Sequence, residues 1–380
     1  MRLTSAFAVI LLAGSVAAFA QAPGIARAKA ALALAKSEPA PYQPAIGWDT
    51  TAKLLAGIDP SNMPAMPPDL QAAWTEHRSA AARDWRRLKA RYLDRIDNWS
   101  HQHLPASKDT TIFYPFSGPD AATAFAFFPD ARDYVLVGLE SPGTVPLTAA
   151  DYTADYWASV REALRSDVAV GFFKTEEMHE DFKHEGVNGV MPLLLTFIAR
   201  RGYTIDDVSQ IQISDSGAVV PRTPPVPGVR VTKGVAIRFS ANRTSHTLTY
   251  LRLDLSNVVE SRPAAIQYLH NLKKVDTLVK SASYLMHKRH FSTVRGIILA
   301  QSDVIVEDDS GIPWHYFTPD AWNVTLFGAY TEPITLFADW YQEDLKTAFD
   351  STPNIQRLDF GIGYRWRPGA SNLLLAARKK

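Results

Sequence analysis

Residues 111–140, TIFYPFSGPDAATAFAFFPDARDYVLVGLE, contain the pattern that decides the fold. The apolar run Thr111–Phe116 ends in a Ser-Gly-Pro-Asp turn. A short helical stretch follows over 121–128, and a second apolar run covers Tyr134–Leu139. Two buried strands joined by a helix form the unit from which parallel sheets are built. This stretch therefore predicts an α/β fold.

The chain beyond this unit continues to alternate between helix and strand patterns. Helices are predicted over 151–165, 188–201, 263–272 and 292–300, and strands over 276–285 and 304–307. Alternating apolar residues predict an inserted β-hairpin over 229–255 and a C-terminal antiparallel hairpin of 358–366 with 372–377. We therefore expect a Rossmann-like three-layer domain over residues 108–380, with a mostly parallel sheet.

A helical extension is predicted ahead of this domain, over residues 46–107. Pro67-Pro68-Asp69 marks a helix start, and apolar residues then recur at steps of three and four as far as Trp99. The opposite face is rich in arginine (Arg83, Arg86, Arg87, Arg91 and Arg95). Such a face is typical of a solvated helix, and the alternative is a surface for a protein partner along residues 68–99.

The first twenty residues have the pattern of an export signal. Arg2 precedes the apolar run Phe7–Ala13, and Ala18 and Ala20 are small residues at the positions that a signal peptidase reads. The apolar run is too short to span a membrane comfortably. We expect residues 1–20 to be a cleaved signal peptide and 21–45 an Ala/Pro-rich flexible leader. The mature protein is then periplasmic or secreted.

Composition excludes several classes of function. The chain has 40 Lys and Arg against 39 Asp and Glu, so it has no general attraction for nucleic acid or anionic lipid. It has no cysteine, which excludes disulfides, a thiol nucleophile and a lipid-modified N-terminal cysteine. No later apolar run approaches the length of a membrane span, so a soluble mature protein is expected.

The turn after the first strand is the first candidate site. Gly118 permits a tight turn beside Ser117, and backbone amides that open the next helix favour anions. Glu140 follows the second strand at the position where dinucleotide folds hold ribose hydroxyls. The loop has a single glycine, however, and Pro119 lacks an amide donor, so an ordinary strand-to-helix connection also explains it. No cofactor is predicted.

The acidic loop after the strand 304–307 is the second candidate site. Asp308 and Asp309 form a carboxylate pair suited to cation binding or acid–base chemistry, and the alternative is a polar turn. Ligands of α/β sheets bind at the carboxyl ends of the strands. The predicted ligand-binding residues are Ser117, Gly118, Asp120, Glu140, Asp308, Asp309 and Ser310.

Other motifs predict less. Lys280–Tyr284 brings serines near Lys280, but an S-x-x-K or G-x-S-x-G motif is absent, and a strand would point Lys280 away from Ser281 and Ser283. His179 and His184 are five residues apart, so one regular helix cannot direct both at one ion. His287 and His290 have suitable spacing but no evident third ligand, and no metal site is predicted.

Aromatic residues are frequent in the last third of the chain. They are Trp314, Tyr316, Phe317, Trp322, Phe327, Tyr330, Trp340 and Tyr341. Aromatic platforms suit sugar rings, which an exported protein meets, while core packing is the commoner use of such side chains.

Several segments carry a resemblance to known proteins. YPFSGPD at Tyr114–Asp120, FFP at Phe127–Pro129, GLE at Gly138–Glu140, DDSGIP at Asp308–Pro313 and SNLLLA at Ser371–Ala376 are similar to those of an uncharacterised family of exported bacterial proteins. The resemblance extends from about Thr110 onward, and it implies a bacterial, exported setting and no particular activity. The layout of strands and helices also resembles Rossmann-like and class I methyltransferase-like domains.

Together these patterns predict an exported protein that binds a small polar or glycan-like ligand at the carboxyl ends of its strands. An enzyme on the same scaffold is the alternative, either a hydrolase that uses Asp308 and Asp309 or a methyltransferase-like transferase. A third alternative is a structural envelope protein.

Overall fold

The computed structural model describes residues 43–106, 108–146, 148, 151–170, 187–222, 231–241 and 243–380, with only the backbone of 165–170. The predicted signal peptide, nearly all of the predicted leader, and His179 and His184 lie outside these residues. Within the described ranges, no helix is both long and apolar enough to cross a membrane.

The described residues form nine α-helices. They are α1 Trp48–Leu55, α2 Pro68–Leu88, α3 Asp94–His103, α4 Ala121–Phe127, α5 Ala154–Val170, α6 Met191–Arg200, α7 Pro263–Asn271, α8 Ser292–Gln301 and α9 Glu343–Ser351. A π-helical turn, Lys89–Leu93, joins α2 to α3, so the predicted long helix runs through with one local widening.

Ten strands form one sheet. They are β1 Thr111–Tyr114, β2 Asp133–Gly138, β3 Thr204–Ile213, β4 Val219–Pro221, β5 Lys233–Ala241, β6 Thr244–Arg252, β7 Val275–Val279, β8 Ser302–Glu307, β9 Trp322–Gly328 and β10 Asn372–Arg378. Their order across the sheet is β4-β3-β5-β6-β2-β1-β7-β8-β10-β9.

The sheet is mixed, and the expectation of a mostly parallel sheet was wrong. Strands β6, β2, β1, β7 and β8 run parallel. Strands β5, β3 and β4 extend one side, and β10 and β9 the other, by antiparallel pairing. The predicted inserted hairpin is present as β5 and β6, but the sequence pattern missed β3. Its polar residues, which include Asp206, Asp207 and Gln210, obscured the alternation.

The predicted C-terminal hairpin was half wrong. Strand β10 is present, but it pairs with β8 and β9 and not with residues 358–366. Leu358, Phe360 and Ile362 are buried and recur at every second position of the sequence, which imitates a strand. Gly361 lies so close to the backbone of Trp366 that the segment turns back on itself. Burial in a folded loop produced the same pattern as burial in a sheet.

The helical N-terminal segment packs onto the rest of the molecule, and Gln43–Lys380 form one compact unit. Helix α1 contacts α6, α2 contacts α5, and α3 contacts α4. Asp97 of α3 binds Arg201 in a two-pronged ion pair of 2.8 and 3.0 Å. Trp99 packs edge-on against Phe127 and Phe327. These contacts fix α3 beside the central strands.

Alternate side chains of the central strands serve opposite faces of the sheet. Phe113 of β1 and Val135 of β2 belong to a core that includes residues of α7 and α8. Tyr134 points to the other face, where its ring meets Phe125 of α4 at 4.8 Å. Strand β1 lies between β2 and β7. The connection after β1 leads to β2 on one side of it, and the later strand β7 is added on its other side. Crevices at such switch points are the usual ligand sites of open α/β sheets.

Candidate functional site

A buried ion pair occupies the switch point between β1 and β7. Asp120 follows β1 and caps α4, since its Oδ1 accepts a hydrogen bond from the Thr123 amide at 3.2 Å. Lys280 directly follows β7, and its Nζ lies 2.8 Å from Asp120 Oδ2. The Tyr114 hydroxyl donates to the same oxygen at 3.0 Å. Both charged residues are 4% exposed, so the pair is inside the protein.

The π-helical turn contributes a tyrosine to this ion pair. Lys280 Nζ lies 5.7 Å from the centre of the Tyr92 ring, within the range of a cation–π contact. Burial raises the pKa of Tyr92. Single π-turns within α-helices are frequent at functional sites, because they redirect a side chain that a regular helix would place elsewhere.

Asp308 lies beyond the end of β8 and is almost completely buried, with 1% exposure. Its Oδ1 accepts hydrogen bonds from the Ser281 amide at 3.0 Å and the Ser310 hydroxyl at 2.9 Å. Its Oδ2 has no hydrogen-bond partner in the described part of the chain. Burial, and then the charge of Asp309, raise the pKa of Asp308 to about 7. The group is therefore poised to gain or lose a proton near neutrality.

Asp309 forms more hydrogen bonds than its neighbour Asp308. Asn372 of β10 donates to Asp309 Oδ1 at 2.8 Å and accepts from the Asp309 amide at 2.8 Å. The Tyr284 hydroxyl donates to Oδ2. Gln342 donates to the Asp309 carbonyl at 2.9 Å. Burial nevertheless raises the pKa of Asp309.

Glu307 adds a third buried carboxyl group. It is 0% exposed, and its Oε2 accepts from the Ile312 amide at 2.9 Å. Burial raises the pKa of Glu307 well above its usual range. An added Cβ on Gly311 would lie 2.4 Å from Glu307 Oε2, so the glycine makes room for this carboxyl group. Burial therefore favours the neutral form of Glu307.

The loop after β7 has an uncommon backbone, which corrects the predicted strand over 276–285. The strand ends at Val279, and Ser281, Ser283 and Tyr284 all have φ between 51° and 52°. Left-handed conformations in non-glycine residues are costly and cluster at functional sites. Lys280, which forms the ion pair with Asp120, lies between the end of the strand and this turn.

In the described structure, neither loop serine uses its hydroxyl group to form a hydrogen bond with a histidine or lysine. Ser283 Oγ lies 2.6 Å from the Tyr364 hydroxyl, which in turn donates to the Ser281 carbonyl at 2.8 Å. These bonds tie the loop to residues 361–364 and supply no general base.

Ser117, Gly118 and Glu140 lie together on the β2 side of the switch point. Ser117 Oγ bonds to the backbone of Val137 and of Gly118, so this hydroxyl joins β1 to β2. Tyr250 of β6 donates to Glu140 Oε2 at 3.1 Å and to the Glu140 carbonyl at 3.0 Å.

The predicted site residues thus fall into three neighbouring groups at one edge of the sheet. Their side chains are all buried, with exposures from 0% for Ser310 to 8% for Asp309, and each makes hydrogen bonds inside the protein. Sequence reasoning missed Lys280, Tyr92 and Tyr284 as members. A lysine at the end of a buried apolar strand was the one available signal for Lys280.

An open cleft of about 640 Å³ lies beside Asp309. Its lining includes His287, His315, Trp340, Tyr341, Gln342 and Asp344. Gln342 links the cleft to Asp309 through the hydrogen bond described above. A hydrogen bond to the backbone of Asp309 also acts on His287, but burial dominates and lowers the His287 pKa to about 4. The cleft wall is therefore built on the acidic loop.

Aromatic rings lie between the cleft and the loop that follows β7. Phe337 lies 5.2 Å from the ring of Tyr284 and 4.8 Å from that of Tyr364. Trp340 lies 5.8 Å from the ring of His287, while Tyr341 is 45% exposed.

The described residues contain no group of three or more His, Cys, Asp or Glu side chains that could hold a metal ion. His287 lines the cleft, and His290 is exposed. In comparisons with models of known protein families, with curated proteins and with solved structures, no match to the chain was found.

Proposed function

We propose that this protein binds a small polyhydroxylated ligand, the size of a mono- or disaccharide, in the cleft beside Asp309. The observation that carries the proposal is the cleft itself, of about 640 Å³, which Gln342 links to Asp309 just beyond the carboxyl end of β8. Ligand sites of drug-sized molecules have volumes of roughly 300–1,000 Å³ and occur at this edge of α/β sheets.

The lining chemistry supports a sugar-like ligand. Trp340 and Tyr341 offer flat apolar surfaces, and Tyr341 stacks on Tyr330 at 5.9 Å with nearly parallel rings, which fixes its orientation. Asp344 and His315 provide exposed polar groups for hydroxyls. The Gln342 amide is held by the Trp314 amide at 2.8 Å and by the Asp309 carbonyl. That side chain is thus rigid before any ligand arrives.

The proposal is tested by titrating maltose, cellobiose and chitobiose into the protein by calorimetry. We expect at least one of them to bind, with affinity reduced tenfold or more by Trp340→Ala. The matched control is Trp366→Ala, because Trp366 is 49% exposed and does not line the cleft. Equal loss in both variants, or no binding of any disaccharide to the native protein, would reject the proposal.

A hydrolase is the second candidate, and Asp308 favours it. Among the residues that the structure describes, its Oδ2 has no hydrogen-bond partner, and the pKa of Asp308 is about 7, which suits a general acid or base at neutral pH. In such a reaction water adds across the scissile bond, and one carboxyl group donates a proton to the leaving oxygen. Release of reducing ends from chitobiose, lost in Asp308→Asn without loss of fold, would favour this function over simple binding.

The setting of this function is also part of the proposal. The signal-like residues 1–20 support export to the periplasm or beyond, where free glycans are available. The strand order around β1 supports a Rossmann-like ancestry for the central five strands. Helix α2 remains the proposed surface for a protein partner.

A further inference from the structure

Residues 334–341 are attached to the rest of the protein at both of their ends. Before the segment, the Arg365 side chain donates to the Pro333 carbonyl at 3.0 Å. After it, the Gln342 amide donates to the Tyr330 hydroxyl at 2.9 Å, and the Gln342 side chain is held by the two hydrogen bonds described above. Both ends of the segment are therefore fixed by hydrogen bonds.

Between these ends, the segment makes no hydrogen bond to any other part of the chain that the structure describes. Two of its backbone bonds are internal. The Phe337 amide donates to the Ile334 carbonyl at 2.8 Å, and the Tyr341 amide donates to the Ala338 carbonyl at 3.3 Å. Side-chain packing therefore holds the middle of the segment, and regions held in this way open at a lower cost than the core.

Phe337 makes the main inward contacts of this middle part. A break in the 3₁₀ helix 335–340 falls at Phe337, with φ −120° and ψ 22°. The centre of its ring lies 4.8 Å from that of Tyr364 and 5.2 Å from that of Tyr284. Leu336, the preceding residue, is 79% exposed. The segment thus packs one aromatic ring on the molecule and leaves the adjacent apolar side chain in solvent.

The two tyrosines that this ring contacts are connected to the candidate site. Tyr284 is 1% exposed, and its hydroxyl donates to Asp309 Oδ2. The Tyr364 hydroxyl accepts from the Ser283 amide at 3.1 Å. Residues 339–341 of the same segment line the cleft. The segment is therefore in contact both with the cleft and with the residues around Asp309.

We propose that residues 334–341 form a lid, which opens about its two fixed ends and admits a ligand from the cleft to Tyr284 and Asp309. The role of the lid rests on the proposed function, because access matters only if the cleft takes up a ligand. Asp309 is 8% exposed, so a ligand in the cleft reaches its carboxyl group only if part of the cover moves. Lids of this kind also exclude water when they close over a bound ligand.

The competing explanation is that the segment is a permanent wall. Aromatic pairs are common in protein cores, and Phe337 would then separate from its neighbours only when the whole protein unfolds. The Ser283 amide distinguishes the two explanations, because its acceptor, Tyr364, lies against Phe337. Opening of a lid lets this amide exchange with solvent while the sheet stays folded.

The test is amide hydrogen exchange of the native protein, without any sugar, read at single amides by mass spectrometry. We expect the Ser283 amide to be protected at least about tenfold less than the amides of β7, and its exchange to be nearly independent of sub-denaturing urea. The Gln342 amide is the matched reference, because it also donates to a tyrosine hydroxyl but lies at a fixed end of the segment. It should stay protected.

Three variants locate the cause of the opening. Phe337→Ala should raise the exchange rate of the Ser283 amide about tenfold, because two aromatic pairs no longer hold the lid closed. Leu336→Ala is the matched control on the lid and should leave that rate unchanged, since the side chain is exposed. Ile237→Val, in the buried part of β5, controls for global stability and should accelerate the β7 amides but not Ser283. If Phe337→Ala does not fold, Phe337→Leu, which keeps an apolar side chain without the ring, replaces it.

The proposal fails if the Ser283 amide and the β7 amides exchange at one common, urea-dependent rate, or if Phe337→Ala leaves the exchange of Ser283 unchanged. It also fails if Ile237→Val accelerates Ser283 as much as Phe337→Ala does. Because no sugar is present, the result is independent of whether disaccharides bind. Absence of disaccharide binding would reject the proposed function and leave the measured opening unaffected.

Discussion

Asp308→Asn should stabilise the protein at alkaline pH, and the size of the increase in the free energy of unfolding follows from the structure. The carboxyl group is 1% exposed with a pKa of about 7, against 3.8 for the free side chain. This pKa difference of about three lowers the free energy of unfolding by about 4 kcal/mol once Asp308 is ionised in both the folded and the unfolded protein. The asparagine avoids this cost while its amide oxygen still accepts from the Ser281 amide.

The direction of the pH dependence follows from the raised pKa. Between pH 4 and pH 7 the folded protein binds a proton that the unfolded chain has lost, so stability falls as the pH rises through this window. From pH 5 to pH 8 the Asp308 contribution declines by roughly 3 kcal/mol. Acids distant from Asp308 cancel in the difference between the two proteins, whereas Glu307 and Asp309 interact with the Asp308 charge and are part of the measured effect.

The assay is urea unfolding of the native protein, Asp308→Asn and the exposed control Asp215→Asn, at pH 5 and pH 8. We expect Asp308→Asn to be more stable than the native protein by roughly 4 kcal/mol at pH 8 and by roughly 1.5 kcal/mol at pH 5. Asp215→Asn should follow the native protein at both pH values. A loss of stability in Asp308→Asn at pH 8, or an unchanged pH dependence, would refute the reasoning.

Three further predictions concern the same region and the N-terminal helices. Lys280→Met leaves Asp120 buried without its cation and should cost about 3–5 kcal/mol in urea unfolding, much of which Lys280→Met with Asp120→Asn should restore. Gly363→Ala places a Cβ 2.0 Å from Asp308 Oδ2 at a φ of 78°, so Tm should fall by several degrees, whereas Gly369→Ala, with a similar φ and open space, should lower it less. The lowered pKa of His77, about 4, predicts a loss of about 3 kcal/mol as the pH falls from 6.5 to 4, and urea unfolding of His77→Phe should lack this contribution. If His77→Phe loses as much stability as the native protein between pH 6.5 and pH 4, that result would count against a buried neutral histidine at position 77.

The elements that sequence patterns predicted well are those whose signals are local. Residues 111–138 combine two apolar runs with a helix cap at Asp120, and the structure has the strand, helix and strand there. Strand β3 was missed because its solvent-facing residues dominate its composition. Residues 358–366 were mistaken for a strand because buried loops can alternate in the same way.

The candidate site shows the same division between local and distant information. That Asp308 and Asp309 follow a strand can be inferred from the residues before them. The partner of Asp120 is Lys280, 160 positions away, and no local rule connects the two. The left-handed turn at Ser281 was also hidden, because serine and tyrosine carry no preference for that conformation. Tertiary contacts decide both features.

The most direct test of a ligand site beside Asp309 is native mass spectrometry of the protein purified from the cells that produce it. The proposal predicts a retained molecule in the mass range of a mono- or disaccharide, present on the native protein and on Trp366→Ala but absent from Trp340→Ala. A bare native protein, or a retained molecule bound equally by Trp340→Ala, would contradict it.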